Sequence, residues 1–402
     1  MAPDSKLVSD IEELLSKAKS YDVDNPDRTL RHDLIGKIEA LRYHLDEPAE
    51  AMFRQLTNYS ETAAVRTMLQ MGALEKIPRG GRITAQELAV SINANEEVLV
   101  RLLRILTATG ILQSAGENIY EHTRFSLAYL EGSEVDFYEL CVDEIAPVAN
   151  RIPDYVASHE ANSILDPKRS PYSWANQKEG KSFYEVLLDF PDRLARFDKA
   201  MTTQEAALPV LGMFPFSSLV KSIDKCDLDR AFIVDVAGGR GQSLRQIKKE
   251  IDQSGGGDVG RVILQDRKPV LDAIPDEQLP GVEKMVIDFF NPQPVKNAHV
   301  YYLRRIMHNW QDAEAQKILK NIAGAMAPDS RLLIGEMVVP TEPEGIDKTV
   351  YWMDLCMLII GGKERSETEF SKLLASAGLQ LVKIWRSKIG PQTVIECRLQ
   401  GV

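Results

Sequence analysis

Several features that mark other protein classes are missing from this 402-residue sequence. It has only four cysteines and no C-x-x-C pair, at Cys141, Cys226, Cys356 and Cys397. We therefore expect reduced thiols rather than a disulfide framework or a zinc site. No apolar run approaches the roughly 18 residues that suggest a membrane span. The amino-terminal segment MAPDSKLVSDIEELL also lacks the apolar core of a signal peptide. These absences predict a cytoplasmic protein without a membrane partner.

Positive charge is also scarce. The chain has 48 Lys and Arg residues against 59 Asp and Glu residues, which gives a net charge of −11. General nucleic-acid binding rests on clustered basic residues, so this balance argues against it. The remaining composition, 44% hydrophobic and 27% charged, is that of an ordinary globular protein with room for two or three domains.

The amino-terminal part, residues 1–165, has mainly helical apolar spacing and a winged helix-turn-helix pattern. Thr84 and Glu87 form a capping box that opens one short helix. Asn95 can cap a second helix, which Gly110 ends. The side chains expected to face the core from this second helix are Val98, Leu99, Leu102, Leu103 and Leu106. The segment ENIYEHTRFSLAYL, residues 117–130, follows as a predicted β-wing.

A winged helix either reads DNA or pairs two chains. Glu96 and Glu97 stand where a DNA-reading helix needs Lys or Arg, which favours dimerisation. The helical segment LIGKIEALRYHL has an apolar face that the winged-helix core leaves unburied, and such faces usually mark interfaces. We therefore predict a homodimer.

The second part, residues 166–402, alternates predicted strands and helices. The candidate strands are 230–236, 261–265, 283–287, 299–303, 331–337, 379–385 and 392–399. Helical patterns separate the first six, whereas only residues 387–391 separate the last two. This order predicts a Rossmann-like α/β domain whose seven-stranded, mostly parallel sheet closes with an antiparallel hairpin.

The stretch VDVAGGRGQ, residues 234–242, ends the first of these strands with three glycines. Gly238, Gly239 and Gly241 allow a tight turn and close approach to a ligand beyond the strand. By itself the turn leaves NAD, FAD, S-adenosylmethionine and a purely structural role open.

Residues after the second and third strands narrow the choice of ligand. Asp266 can accept both hydroxyls of an unphosphorylated ribose, although an Asp at a strand end also commonly caps the next helix. Asp288 can bind an exocyclic amine, and Phe289 can stack on a ring.

The later strand ends carry His308, Glu336 and Glu364, from separate loops at one sheet edge. A histidine held by carboxylates is suited to deprotonating a weakly acidic hydroxyl. With ordinary pKa values of about 6.5 for His and about 10 for a phenol, the unaided proton transfer is uphill by roughly 5 kcal/mol. Because the acids are spread over separate loops and no second histidine is near, we predict no metal site.

Taken together, the motifs VDVAGGRGQ, QD at 265–266, DFF at 288–290, YYLRRIMHNWQD, GEMVVP and GGKERSETEF resemble those of the plant and fungal S-adenosylmethionine-dependent O-methyltransferases, which have a winged-helix dimerisation domain. The resemblance implies S-adenosyl-L-methionine as cofactor. Its methionine part is expected at Asp235, Gly238 and Gly239, its ribose at Asp266 and its adenine at Asp288 and Phe289. It also implies that Arg304 lies along the cofactor and that His308 is the general base, framed by Glu336 and Glu364.

Two residues depart from the family pattern: Asn309 replaces the usual Asp after the histidine, and Ala237 replaces a frequent glycine. Some fungal members of the family catalyse pericyclic reactions instead and tend to lose the histidine. The retained His308 favours methyl transfer to a phenolic hydroxyl of a small aromatic secondary metabolite. A cofactor-dependent pericyclase and a non-enzymatic winged-helix regulator remain alternatives.

Large apolar side chains of the second part are candidates for the acceptor pocket, with ordinary core packing as the alternative. They are Trp174, Phe183, Met201, Phe214, Met337, Trp352, Met353 and Met357.

Overall fold

A computed structural model describes residues 5–131, 134–222, 229–255, 257, 259–342, 348–388 and 390–401. Cys141, Cys356 and Cys397 carry free thiols, and Cys226 lies outside the described residues. In the part of the chain that is described, no helix has the length and apolarity to cross a bilayer.

The contacts group the chain into two compact units. The first comprises Met1–Asp10, Glu39–Asn150 and Phe190–Ala207, and the second Ile11–Ile38, Arg151–Asp189 and Leu208–Val402. The predicted domain boundary between residues 165 and 166 stays a prediction.

Helices dominate the chain before the large sheet. They are α1 (Ser5–Ala18), α2 (Arg28–Leu45), α3 (Pro48–Gln70), α4 (Ala73–Lys76), α5 (Ala85–Ser91), α6 (Glu96–Ala108), α7 (Arg124–Glu131), α8 (Glu134–Leu140), α9 (Ala146–Ala149), α10 (Ile152–Ser158), α11 (Pro171–Ala175), α12 (Phe183–Leu188) and α13 (Pro191–Ala207). A π-helical turn, Cys141–Ile145, joins α8 to α9. A small antiparallel sheet accompanies α5 and α6, with strands β1 (Ile83–Thr84), β2 (Leu112–Gly116) and β3 (Ile119–His122).

The predicted helix ends of the winged-helix region are confirmed. The Thr84 hydroxyl accepts from the Glu87 amide, and the Glu87 carboxylate accepts from the Thr84 amide. Asn95 caps α6 by accepting from the amide of Val98. Gly110 follows α6 with φ +81°, which explains why the helix ends there.

Two details of this region were predicted wrongly. Residues 117–130 are not all β-wing, because β2 and β3 form the hairpin and α7 begins at Arg124. Val98 is 56% exposed, whereas Leu99, Leu103 and Leu106 are buried. Val98 lies in the first turn of α6, on a stretch where Glu96 and Glu97 are exposed as well, so the buried face of the helix begins only at Leu99.

The second unit contains the large sheet. Its strands are β4 (Ala231–Val236), β5 (Arg261–Asp266), β6 (Val282–Val286), β7 (Val300–Arg304), β8 (Arg331–Val339), β9 (Arg365–Ser366), β10 (Leu379–Arg386) and β11 (Gln392–Leu399). The order is β10-β11-β8-β7-β4-β5-β6, with β9 paired to β8. The five strands from β8 to β6 are parallel, and β11 is antiparallel to both β8 and β10. The predicted α/β fold with a closing hairpin is confirmed, and β9 is an addition to it.

Helices cover both faces of this sheet. They are α14 (Gln242–Gln253), α15 (Lys268–Asp272), α16 (Asp312–Ala323), α17 (Thr349–Ile360) and α18 (Glu367–Ser376). One core cluster joins α16 and α18 to the sheet, and the other joins α14 to the opposite face. Burial on both faces explains the nearly continuous apolar sequence of β4 and β7. It also leaves the carboxyl ends of the parallel strands as the place for a ligand site.

Candidate active site

A cavity opens at the carboxyl ends of β7 and β8, the edge of the sheet where ligands of such folds bind. Most of the cavity surface is apolar, and charged or ionisable side chains, His308, Glu336 and Glu364 among them, form part of its wall. The lining residues are Leu208, Pro209, Met213, Tyr302, Arg304, Arg305, His308, Gly335, Glu336, Met337, Met353, Glu364, Gln392, Thr393 and Val394. The three predicted catalytic residues therefore share one cavity.

His308 lies on a short turn after β7, which we call the histidine turn, residues 305–311. The turn begins with Arg305 in the left-handed region, φ +57°, and continues as a 3-10 helix, Met307–Asn309. The His308 ring is buried, and its Nδ1 lies 2.9 Å from Glu364 Oε1 and 3.5 Å from Glu336 Oε2. A carboxylate only accepts hydrogen bonds, so Nδ1 carries a proton and Nε2 is the basic nitrogen of the neutral ring.

Glu336 holds the backbone of the same turn. The sequence assigned this residue to a loop at the end of the predicted strand 331–337, but β8 continues to Val339 and Glu336 lies inside it, opposite Thr393 of β11. Its Oε1 accepts hydrogen bonds from the amides of Ile306 at 2.8 Å and Met307 at 2.7 Å. Its Oε2, like Glu364 Oε2, is buried without a hydrogen-bond partner among the described residues. One oxygen therefore fixes the turn while the other faces the ring.

Burial and the two acids act in opposite directions on His308. Burial lowers the pKa of His308, but the charges of Glu336 and Glu364 and the hydrogen bond to Glu364 outweigh it and raise that pKa above its ordinary 6.5. Burial raises the pKa of Glu336 above its ordinary 4.5 even though the charge of His308 opposes the shift. Burial and the neighbouring charges therefore leave both pKa values, that of His308 and that of Glu336, above their ordinary values.

The sequence suggested that the acidic residues are spread over separate loops, but the structure brings Glu336 and Glu364 close together. One ligand atom from each of His308, Glu336 and Glu364 lies within 4.8 Å of the others, a spacing that could hold a cation. The strands and loops that carry them converge because β7, β8 and β9 are neighbours in the sheet. The predicted absence of a metal stays a prediction.

The glycine-rich segment forms the tight turn that the sequence indicates. Ala237, Gly239 and Gly241 have φ of +57°, +58° and +72°, so Ala237 takes the left-handed conformation without being glycine. At Gly238 an added Cβ would lie 2.4 Å from the Asp235 carboxylate and 2.7 Å from Leu264 Cδ1, so no side chain fits. Asp235 is fully buried beneath this turn.

Asp266 ends β5 and is bonded to the glycine turn. Its Oδ2 accepts from the Gly239 amide at 2.9 Å, and its Oδ1 accepts from the Arg267 amide at 2.7 Å. Burial raises the pKa of this carboxyl, although both hydrogen bonds oppose the shift. The carboxylate is thus held against the backbone of the glycine turn.

The two candidate adenine residues lie after β6. Asp288 is exposed, and its carboxylate accepts from the amide of Phe290 and the side chain of Asn291. The Phe289 ring is half-buried, with its centroid 5.0 Å from that of Phe290 and 6.0 Å from that of Trp310.

Arg304 ends β7 and lines the cavity. Its Nη2 donates to the carbonyl of Leu208 at 3.1 Å. This hydrogen bond connects β7 to the segment between α13 and β4, which also lines the cavity.

Of the predicted acceptor residues, Met337 and Met353 line this cavity, whereas Phe214 is buried against Phe216 and Trp385. Phe183 is buried edge-on against Tyr172, and Trp174 packs against Tyr155 beneath the Arg151 guanidinium. Of the others, Trp352 is 41% exposed, Met357 is buried on α17, and Met201 lies on α13 in the first unit.

Comparisons with known proteins agree with this architecture. Residues 177–380 match the family model of the O-methyltransferase domain, and residues 53–132 match that of the O-methyltransferase dimerisation domain. The O-methyltransferase hmp5 of Hypomyces subiculosus is 38% identical over 402 residues, with 99% of each chain covered. This chain belongs to the S-adenosylmethionine-dependent O-methyltransferases.

Two solved structures share the whole fold of this methyltransferase. OxaC in complex with S-adenosylhomocysteine and oxaline has a TM-score of 0.82 and 28% identity, over 99% of this chain and 100% of OxaC. A structure described as a pericyclic reaction enzyme has a TM-score of 0.84 and 26% identity, over 98% of this chain and 100% of that chain. The predicted family, fold and cofactor are therefore confirmed, and the chain is an O-methyltransferase.

Sequence reasoning missed three charged side chains around the histidine turn. Arg305 lines the cavity, Asp354 of α17 accepts from the Glu364 amide at 3.0 Å, and Arg365 is buried behind the turn. The segments GGKER and LRRIMHNW were visible signals, but their contacts appear only when the two loops are brought together.

Proposed function

We propose that this methyltransferase methylates a phenolic hydroxyl of a small aromatic secondary metabolite, with His308 as general base. The observation that carries the proposal is the hydrogen bond of 2.9 Å between His308 Nδ1 and Glu364 Oε1 at the wall of an apolar cavity. It leaves Nε2 as the atom that accepts the proton of the acceptor hydroxyl.

The two carboxylates have different parts in this step. Glu364 orients the ring and stabilises the imidazolium that forms, as the partner of a catalytic histidine does. Glu336 fixes the amides of Ile306 and Met307 and adds a second negative charge near Nδ1. Both raise the basicity of the ring, which reduces the cost of taking a proton from a phenol.

The residues around the glycine turn fit the cofactor. Gly238 leaves no space for a side chain between the turn and Asp235, and the Asp266 carboxylate lies directly beside it. We assign the methionine part to Asp235, Gly238 and Gly239, the ribose to Asp266 and the adenine to Asp288 and Phe289, with Arg304 along the cofactor edge. When bound, S-adenosylmethionine supplies the methyl group and a sulfonium charge that favours the phenolate.

The experiment uses a panel of phenolic acceptors and cofactor labelled in the methyl group. Mass spectrometry of the wild-type product is expected to show the gain of one labelled methyl group. His308→Ala should lower the rate by roughly 10²–10⁴-fold. S-adenosylhomocysteine affinity should be retained, because the cofactor residues are unchanged. Near-normal methylation by this variant would contradict the base.

A pericyclic reaction is the second candidate, because a pericyclic reaction enzyme shares the fold at a TM-score of 0.84. In that case the bound cofactor would contribute its charge and lose no methyl group. A substrate that rearranges only when cofactor is present, without any labelled product, would replace our first proposal with this one.

We also propose that the protein is a homodimer. Residues 53–132 match a dimerisation domain, and large apolar side chains are exposed along α1, α2 and α3. Examples are Val8, Ile11, Leu15, Ile35, Ile38, Phe53, Leu56 and Tyr59. Analytical ultracentrifugation should give a molecular mass of twice the 45.0 kDa of one chain. Phe53→Glu with Leu56→Glu should shift it to the monomer, whereas Val382→Glu, at an exposed site on β10, should not.

The remaining proposals concern what the chain does not bind and where it acts. Exposed Glu96 and Glu97 begin α6, so DNA binding is not expected, and an electrophoretic mobility shift assay at moderate salt tests this.

We propose that the His308 cluster works without a metal, because Glu336 Oε1 and His308 Nδ1 already make hydrogen bonds of ordinary length. Activity should survive dialysis against EDTA. Cytoplasmic localisation stays a proposal, to be checked with a fluorescent fusion.

A further inference from the structure

Arg365 is a fully buried cation next to Glu364, with an exposed fraction of only 1%. It begins the two-residue strand β9, which pairs with β8 beside Val338. A buried arginine is costly unless its donors are all engaged, so its partners indicate what it does.

The guanidinium binds the backbone on both sides of His308. Nη1 donates to the Met307 carbonyl at 2.9 Å, and Nη2 donates to the Trp310 carbonyl at 2.7 Å. Nε and Nη2 also donate to Asp312 Oδ1, at 3.0 and 2.8 Å, at the start of α16. One side chain thus ties together the first half of the histidine turn, its end and the helix that follows.

The backbone on either side of Arg365 makes further contacts with the same turn. The Lys363 amide donates to the His308 carbonyl at 2.7 Å. The Gln311 side chain donates to the carbonyls of Gly361 and Gly362 at 3.0 and 3.2 Å. A Cβ at Gly362 would lie 2.3 Å from the His308 carbonyl oxygen, so the two segments touch along their backbones.

We propose that Arg365 is a positioning residue that sets the His308 ring against Glu364. Glu364 holds the ring, and the next residue in the chain holds the backbone that carries the ring. The dipeptide Glu364-Arg365 therefore holds both the ring of His308, through the 2.9 Å hydrogen bond, and the backbone that carries this ring. The inference rests on the proposed role of His308 as base and adds a residue that touches neither acceptor nor cofactor.

A lysine cannot replace this arginine, although it keeps the charge. Its single ammonium group cannot reach two carbonyls and a carboxylate with the fixed geometry of a guanidinium. Arg365→Lys therefore loosens the turn while leaving the charged groups that face His308, namely Glu336, Glu364 and Arg305, in place.

A matched control lies at the opposite end of the sheet. Arg230 precedes β4, donates to the Asn297 carbonyl and binds the Asp329 carboxylate at 2.7 and 2.8 Å. Arg230→Lys breaks the same kinds of contact as Arg365→Lys does, far from the histidine turn along the strands.

The first test follows the His308 imidazole by NMR titration of the whole protein without cofactor, with His308→Ala to assign the signal. Arg365→Lys should lower the pKa of His308 by at least about half a unit, because the contact with Glu364 lengthens. Arg230→Lys should leave it unchanged. An unchanged His308 pKa in folded Arg365→Lys protein would overturn the proposal.

The second test measures methyl transfer. Arg365→Lys should lower kcat by about 10–100-fold, as loss of precise orientation does, with KM for S-adenosylmethionine within about twofold. In the His308→Ala background the same change should cost less than about twofold, since the base is already gone. An equal loss in both backgrounds would mean a general structural role. If His308→Ala itself loses nothing, the proposed base fails, while the titration still tests Arg365.

A second variant covers the case in which Arg365→Lys does not fold. The Asp312 side chain is 65% exposed, so Asp312→Asn is tolerated more easily and weakens only one of the guanidinium partners. It should shift the His308 pKa in the same direction by a smaller amount. A normal His308 titration in this variant would count against the proposal.

Discussion

Asp266 and Gly239 are joined by a hydrogen bond of 2.9 Å from the glycine amide to the carboxylate. The residue assigned to the ribose therefore also closes the glycine turn. On that assignment, we expect a change at Asp266 to affect both cofactor binding and the shape of the turn.

Asp266→Ala should weaken S-adenosylhomocysteine binding by about 1–3 kcal/mol, the usual cost of leaving a polar partner unpaired. Calorimetry measures it. Asp272→Ala on α15 is the control, because Asp272 is exposed and forms a surface ion pair with Lys268 four residues earlier. Tighter binding of NAD than of S-adenosylhomocysteine by the unaltered protein would contradict the assignment.

Gly238→Ala should both destabilise the protein and impair cofactor binding. The added methyl group would lie 2.4 Å from the Asp235 carboxylate, and such overpacking costs typically about 1–3 kcal/mol. Gly324→Ala is the control, since its Cβ would meet the Lys320 carbonyl at 3.4 Å and its φ is −67°. Urea denaturation and calorimetry should separate the two variants. Equal stability would show that the turn can shift.

The stability of the protein should depend on pH through the buried cluster. The folded pKa values of His308 and Glu336 lie above the ordinary 6.5 and 4.5, so the folded state holds more protons than the unfolded chain. Their contribution is fully present below those ordinary values and is lost as pH rises through the folded values. Urea denaturation across this range should show a flatter profile for Glu336→Gln, which removes one of the two groups. Parallel profiles would refute the shift.

The rate of methyl transfer should also depend on pH through His308. His308 must be neutral to accept a proton, so kcat/KM should rise with pH through a value above 6.5. Glu364→Gln removes a charge that raises the His308 pKa, so this limb should move to lower pH while the rate on the plateau falls. A limb that stays in place would mean that another group titrates.

Asn309 stabilises the histidine turn in a way that the family's usual aspartate does not allow. Its Nδ2 donates to the carbonyl of Arg305 at 3.1 Å, and an ionised aspartate has no proton to donate. Asn309→Asp should lower the free energy of unfolding by about 1 kcal/mol and also slow methyl transfer. Asn176→Asp breaks a similar bond to the Tyr172 carbonyl. It should cost similar stability with no change in rate, and a rate loss in both would contradict the role of Asn309.

The sequence by itself determined the features that depend on nearby residues. The capping box at Thr84, the end of α6 before Gly110 and the alternation of strands and helices are local, because each rests on hydrogen bonds or burial within one element. The position of His308 after a buried strand is equally local. These patterns fixed the fold class and directed attention to one edge of the sheet.

Tertiary structure alone decided how the site is assembled. Glu336 lies within β8 and reaches His308 only because β8 pairs with β7, and Glu364 arrives through a loop that follows α17. Pairing between distant segments also buried Arg365 behind the turn and kept Trp174 and Phe183 out of the cavity lining. Strand pairing and loop contacts join residues from 29 to 56 positions apart, and no local pattern carries that information.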